Sequence, residues 1–231
     1  MKKITLFALL ISFTSFFSCN TIKSLQGGLT EQEAIDGIKE LLAFGSQYGG
    51  SLLGKNGAFS KEALTAAIFP PELQKIANTL QTLGLSKEVD RFTTTLGNAT
   101  AQTVDKSVPI FLSSIQSLNI KNAFTILKAG NTGATDFLRT TVGDTLRRAI
   151  TPIMNNALEE YKLSSEWNKL TAPAQVLTGG KINLDLGNLM AGLVANAMFN
   201  KIAEKEIEIR SQSAARSTSL LQKVFSKDWS K

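Results

Sequence analysis

Apolar residues recur along this chain at the three-and-four spacing of helices, and almost nowhere with the alternation of strands. Ala34, Ile38, Leu41 and Leu42 share one helical face. Ahead of them Thr30 stands three residues before Glu33, the spacing of a capping box. Ser60 with Ala63, Leu64 and Ala67 predicts a second, short helix that Pro70 and Pro71 terminate. Those prolines also open a third helix, with Leu73, Ile76, Ala77 and Leu80 on one stripe and Gly84 closing it. The longest periodic stretch starts at Ser86, expected as its cap, and carries Val89, Phe92, Leu96 and Ala99, then Val104, Val108, Phe111, Ile115 and Leu118. Pro109 lies inside this pattern and removes one backbone hydrogen bond, so a kink or break is expected there. Further helices are predicted over 120–129, over 131–161 with a bend at Pro152, and over 185–210. A last turn or two should surround Leu220, Leu221, Val224 and Phe225.

Strand-like runs are few, and the one at 175–178 is short and does not alternate. No fixed period of about 30 to 40 residues recurs, which argues against a repeat array. The expected fold is therefore all-α, a single multi-helix bundle. Phe92, Phe111, Phe124, Phe137 and Phe199 sit on apolar stripes and are expected in its core. The glycine-rich run GSQYGGSLLGKNG from Gly45 to Gly57 holds Lys55 but lacks the P-loop spacing, and no buried strand precedes it. It reads as a flexible connection between helices.

The first residues change the picture. Met1-Lys2-Lys3 is followed by the apolar run ITLFALLISFTSFFS and then by Cys19, the single cysteine of the chain. A cationic start and an apolar core shorter than the roughly 20 residues of a membrane span describe an export signal. A lone cysteine at such a junction has no internal partner for a disulfide, but its thiol can take a diacylglycerol before cleavage after Ser18. The chain then divides into a signal peptide over 1–18, a lipidated tether over 19–29, a helical domain over 30–226 and a tail over 227–231. Phe16 and Phe17 are bulkier than the usual residues of a lipid-attachment site, so an ordinary secretory signal is the competing expectation. After Cys19 come Asn20-Thr21-Ile22-Lys23, with neither the aspartate tied to inner-membrane retention nor an acidic cluster. The expected place is the cell envelope, at the periplasmic face of the outer membrane.

Charge and composition then exclude more than they propose. The 25 basic and 19 acidic side chains give a net charge of +6, and two of the lysines belong to the leader. The remaining basic residues are scattered, without the basic, aromatic-interleaved run that tracks a nucleic-acid backbone, so no nucleic-acid partner is expected. The chain has no histidine, which removes Ser-His-Asp and Cys-His nucleophilic chemistry and histidine-ligated metals. No calcium loop or dinucleotide fingerprint is present, and neither metal nor cofactor is expected.

The best local candidate for a site is Asn131-Thr132-Gly133-Ala134-Thr135-Asp136-Phe137-Leu138-Arg139. A cap residue, the free N–H groups of a first helical turn, two hydroxyls and an arginine one turn on could hold a carboxylate or phosphate, or a partner. Asn131, Thr132, Thr135 and Arg139 would do so. The plainer alternative is side-chain capping by Asn131 or Thr132, with Asp136 near the positive end of the helix dipole. Glu204, Glu206, Glu208 and Arg210 alternate further on and read as a solvated, salt-bridged face.

Three stretches, GIKELLAFGSQYGG, SLNIKNAFTILKAGNTGATDFLRTTVGDTLRRAITPIM and EKEIEIRSQSAARSTSLLQKVF, together resemble the bacterial lipoprotein-like family known as domain of unknown function 4197. The resemblance runs from about Thr30 to Phe225. Ala123, Ile126-Leu127, Gly130, Ala134-Thr135, Phe137 and Thr140 or Thr141 match its central pattern. Glu206, Ile209-Arg210, Leu220-Leu221 and Val224-Phe225 match its C-terminal one. Where the family carries Asn-Arg-Ala-Ala-Glu, this chain has Asn98-Ala99-Thr100-Ala101-Gln102, and Asn122 replaces an aspartate. The resemblance implies an envelope lipoprotein and lends no activity. The lost charges weigh against catalysis and leave hydrogen bonding intact.

Two functions stay open. One is a non-enzymatic binding or scaffold domain, held to the membrane by lipid on Cys19, for an envelope protein or a hydrophobic ligand. The other is an enzyme that uses carboxylate or amine chemistry without histidine.

Overall fold

The structure is a computed structural model that describes residues 28–69, 74–177 and 185–229. Its helices follow the apolar stripes. They are α1 (Glu31–Leu53), α2 (Lys61–Ile68), α3 (Gln74–Thr82), α4 (Ser86–Gln116), α5 (Ala123–Lys128), α6 (Gly133–Glu160), α7 (Leu163–Leu177), α8 (Leu186–Ser211) and α9 (Ser219–Phe225). No strand occurs among the described residues, so the all-α bundle stands. None of the helices among these residues is long and apolar enough to cross a membrane. The leader, Cys19, Pro70, Pro71 and Leu73 lie outside the described residues.

Four long helices build the core. α8 packs against both α1 and α6, and α4 lies against the same two helices. Ile38, Leu41 and Leu42 of α1, Val194, Met198 and Ile202 of α8 and Leu138, Leu146 and Ile150 of α6 are fully buried. The expected aromatic core is right for Phe92, Phe111 and Phe199, whereas Phe124 and Phe137 are only half-buried at its edge. Phe111 meets Phe199 edge-on at 5.6 Å, and Trp167 of α7 stacks on Phe92 at 5.6 Å. Burying such pairs removes apolar surface from water at about 25 cal/mol per Å².

The predicted Gly-rich connection is the largest correction. Gly45, Gly49 and Gly50 lie inside α1, where they let α8 and α4 come close. A Cβ on Gly45 would stand 3.0 Å from Ile202 Cα, so the glycine sets how near the two backbones approach. The cost of glycine in a helix, about 0.5–1 kcal/mol against alanine, is offset by that close packing. The loop itself shrinks to the residues after Leu53.

Pro109 does not break α4, which runs unbroken through it. Pro109 and Asp105, whose carbonyl loses its helical partner, are both exposed, and buried residues on either side hold the helix in place. Ser86 is not the cap of α4. The chain leaves α3 through Gly84 at φ +77°, Leu85 donates back to the Leu80 carbonyl at 2.9 Å, and α4 starts at once. α7 was not anticipated, although Leu163, Trp167 and Leu170 stand at helical spacing and form its packed face. The capping box at α1 is present as predicted.

Candidate functional site

The segment at the start of α6 is shaped by two glycines. Gly130 turns the chain at φ +96°, a region that L side chains rarely adopt. Gly133 then presses against the end of α5, where a Cβ would collide with the Ile126 carbonyl. The result is a helix start buried in the protein rather than one facing solvent.

An anion does occupy this helix start, and it comes from the protein itself. Glu206 of α8, fully buried, reaches across to α6. Its Oε1 accepts the Ala134 N–H at 2.9 Å, and its Oε2 accepts the Thr135 N–H at 2.8 Å and the Thr135 hydroxyl at 2.6 Å. Arg210, one turn further along α8, donates from Nε to Oε1 at 2.9 Å. The carboxylate thus lies on the positive end of the α6 dipole with every acceptor direction used. Arg210 also donates to the Leu127 carbonyl at 3.0 Å, which ties the end of α5 to the same cluster.

Side-chain capping by Asn131 or Thr132 does not occur. Thr132 holds the N-cap position, but its hydroxyl donates to Asp136 Oδ2 at 2.8 Å, and the N–H groups beyond it belong to Glu206. The four candidate residues go to separate environments. Thr135 is buried on Glu206, Thr132 pairs with Asp136, Asn131 lines a cleft near the C-terminus, and Arg139 lines another between α6 and α8.

Glu206 also corrects the expected solvated face. Glu204 and Glu208 do face outward, paired with Lys201 at 2.8 Å and Lys205 at 2.9 Å. Glu206 instead continues the buried stripe of Met198, Ile202 and Ile209. That helical spacing was the signal that could have found it, since a carboxylate on an apolar stripe must be paired inside.

The cleft between α6 and α8 measures about 400 Å³. Its floor is Gly143, Gly192, Ala195 and Phe199, small enough in the middle to leave an open trough. Arg139 lies over the Phe199 ring at 4.9 Å and donates to Asn200 Oδ1 at 3.3 Å. Arg147 is held at the other end by Asn188 Oδ1, and Asp144 stands 3.8 Å from it. Neutral amides from α8 fix both guanidinium groups; Arg139 keeps its charge unpaired there, whereas Asp144 partly offsets that of Arg147. The two arginines are eight residues apart on one helix, about 12 Å. One small anion cannot bridge that distance, whereas two carboxylates on a partner can. The sequence reading found Arg139 and missed Arg147, Asn188 and Asn200.

Among the described residues no acidic group is placed with others to hold a metal. The geometry defines a helical bundle that locks one carboxylate into its interior and presents arginines in a surface trough. The family model described as "Protein of unknown function (DUF4197)" matches residues 28–226, and the chain belongs to that family. Glu206 and Arg210, which carried the C-terminal part of the resemblance, are the buried ion pair. No curated protein and no solved structure matches the chain.

Proposed function

We propose that this is a lipid-anchored protein of the bacterial envelope whose helical domain binds an acidic segment of another envelope protein without catalysis. The observation that carries the binding part is the pair of oriented arginines, Arg139 and Arg147, spaced along the trough between α6 and α8. Their roughly 12 Å separation suits carboxylates presented by a helix or an extended strand of protein. A trough lined by two arginines, threonines and a single aspartate, Asp144, favours such a partner over a hydrophobic ligand. The anchor is supported by the leader and by Cys19 at its end. The absence of an aspartate after Cys19 supports the periplasmic face of the outer membrane.

Both parts can be tested in cells. Labelling with a fatty-acid analogue should mark the wild type and leave Cys19→Ala unmarked; equal labelling of both would end the anchor. Crosslinking of the native lipoprotein should recover a partner that Arg139→Ala and Arg147→Ala each lose. Both arginines are partly exposed, so the unfolding midpoint should barely move. Undiminished recovery in the double variant would end the role of the trough.

A further inference from the structure

The end of the bundle where α1 begins also gathers α5, α9 and the C-terminal turn. The Glu31 carboxylate of α1 accepts the first N–H of α5, from Ala123, and Glu33 pairs with Lys223 of α9. Both short helices are therefore fixed to the first turn of α1, where the tether enters. A cleft of about 410 Å³ opens between the end of α5 and residues 227–229. α5 is only six residues long, about 9 Å, so this cleft lies close to the tether.

The cleft is built for an anion beside an apolar phase. At its base is Arg210, whose side chain is only 9% exposed. Two of its five N–H donors make directed hydrogen bonds, to Glu206 and to the Leu127 carbonyl, and its Nη2 touches Glu206 Oε1 at 2.8 Å without a directed bond. The guanidinium lies 5.3 Å from the Phe225 ring centre. Lys128 and Lys227, both exposed, stand at the mouth, and Asp228 is the one acidic residue in the lining. Trp229 is held in place by its indole N–H, which donates to the Val224 carbonyl at 2.9 Å, and by Phe124 at 5.8 Å. An indole fixed among lysines is the pairing that suits a membrane–water interface.

We propose that this cleft binds the phosphate-bearing headgroup of an anionic membrane lipid, in the leaflet to which the protein is tethered. The proposal rests on the lipid anchor proposed above. The roughly ten residues between Cys19 and Leu29 span at most about 35 Å, so the headgroup layer stays within reach of the cleft. Lys128 and Lys227 meet the phosphate, the Arg210 guanidinium, its charge already paired with Glu206, closes the base of the cleft, and Trp229 lies against the glycerol and upper acyl region.

The test uses the mature lipoprotein in neutral detergent micelles, with phosphatidylglycerol added stepwise and tryptophan emission as the readout. A saturable change is expected, absent in Trp229→Phe, which keeps Trp167. The Lys128→Ala, Lys227→Ala double variant should bind roughly thirtyfold more weakly at an unchanged unfolding midpoint. No response, or an equal response to phosphatidylcholine, would overturn the proposal. An equal response to inorganic phosphate would make the ligand a free anion, and an equal response to a glutamate-rich peptide would make it a protein; either also overturns it. Mass measurement of the mature N-terminus separates the two ideas. A chain without lipid on Cys19 that still responds to phosphatidylglycerol loses the anchor and keeps the headgroup site.

Discussion

The first turns of α1 and α6 solve the same problem in opposite ways. Each leaves N–H groups without helical partners. At α1 the answer is local: the Thr30 hydroxyl accepts from the Glu33 N–H at 3.2 Å, and the Glu33 carboxylate accepts from the Thr30 N–H at 3.0 Å. At α6 the answer comes from α8, where Glu206 crosses more than seventy positions of sequence to bind Ala134 and Thr135. The local box is half-exposed and can form as soon as the helix does. The remote one is buried and exists only when α6, α8 and α5 have already met, so it fastens three elements at one point. The difference shows that capping serves local helix formation at the start of α1 and tertiary assembly at the start of α6.

The contrast predicts unequal costs. Glu206→Ala should be the most damaging change, because it leaves Arg210 as a buried unpaired charge and two N–H groups without acceptors. A loss of about 3–5 kcal/mol is expected in urea unfolding followed by circular dichroism. Adding Arg210→Ala should return part of that loss. If Glu206→Ala costs no more than a surface change, the remote clamp is not a point of assembly.

Thr135→Val keeps the shape and removes only the hydroxyl that donates to Glu206. A hydrogen bond to a charged group is worth about 1.5–3 kcal/mol, and the same unfolding measurement should show a loss in that range. Thr30→Ala should cost less, about 1 kcal/mol, the usual value of a helix cap. An order reversed between these two would invert the comparison.

The smallest effect should be a pH dependence at the local box. The Lys223 ammonium bonded to the Glu33 carboxylate, aided by the Thr30 N–H, lowers its pKa to about 2 from an ordinary 4.5. A carboxyl lowered in the folded state adds stability that is complete above about pH 4.5 and is lost as pH falls toward 2. Lys223→Ala should flatten this acid slope slightly, and salt should flatten it further because the pair is exposed. An acid slope unchanged in Lys223→Ala would assign the shift to the Thr30 cap alone.

The same division governs what could be read from the chain. Thr30, Ser60 and Asp185 cap the helices they precede in sequence, and the stripes of α1 and α4 name their buried residues correctly apart from Val89 and Val108, which are half-buried. The start of α6 offers N–H groups that could hold a ligand's or a partner's anion, and the chain's own carboxylate takes two of them. Its identity was hidden because Glu206 was grouped with Glu204 and Glu208 by alternation, whereas only the helical period puts it inward. The trough was half-visible through Arg139. Arg147 becomes its second pole because α8 brings Asn188 and Asn200 alongside, a neighbourhood that no local pattern carries.

The sequence by itself determined the helical period, the caps at Thr30, Ser60 and Asp185, and the punctuation at Gly84 and Gly130. These depend on residues within one or two turns of each other, where spacing and backbone stereochemistry suffice. Only the tertiary structure decided that Gly45, Gly49 and Gly50 belong inside a helix, that Pro109 leaves α4 whole, and which carboxylate fills the start of α6. In each case local preference is worth about 1 kcal/mol or a few, and packing against a distant helix supplies enough to override or complete it.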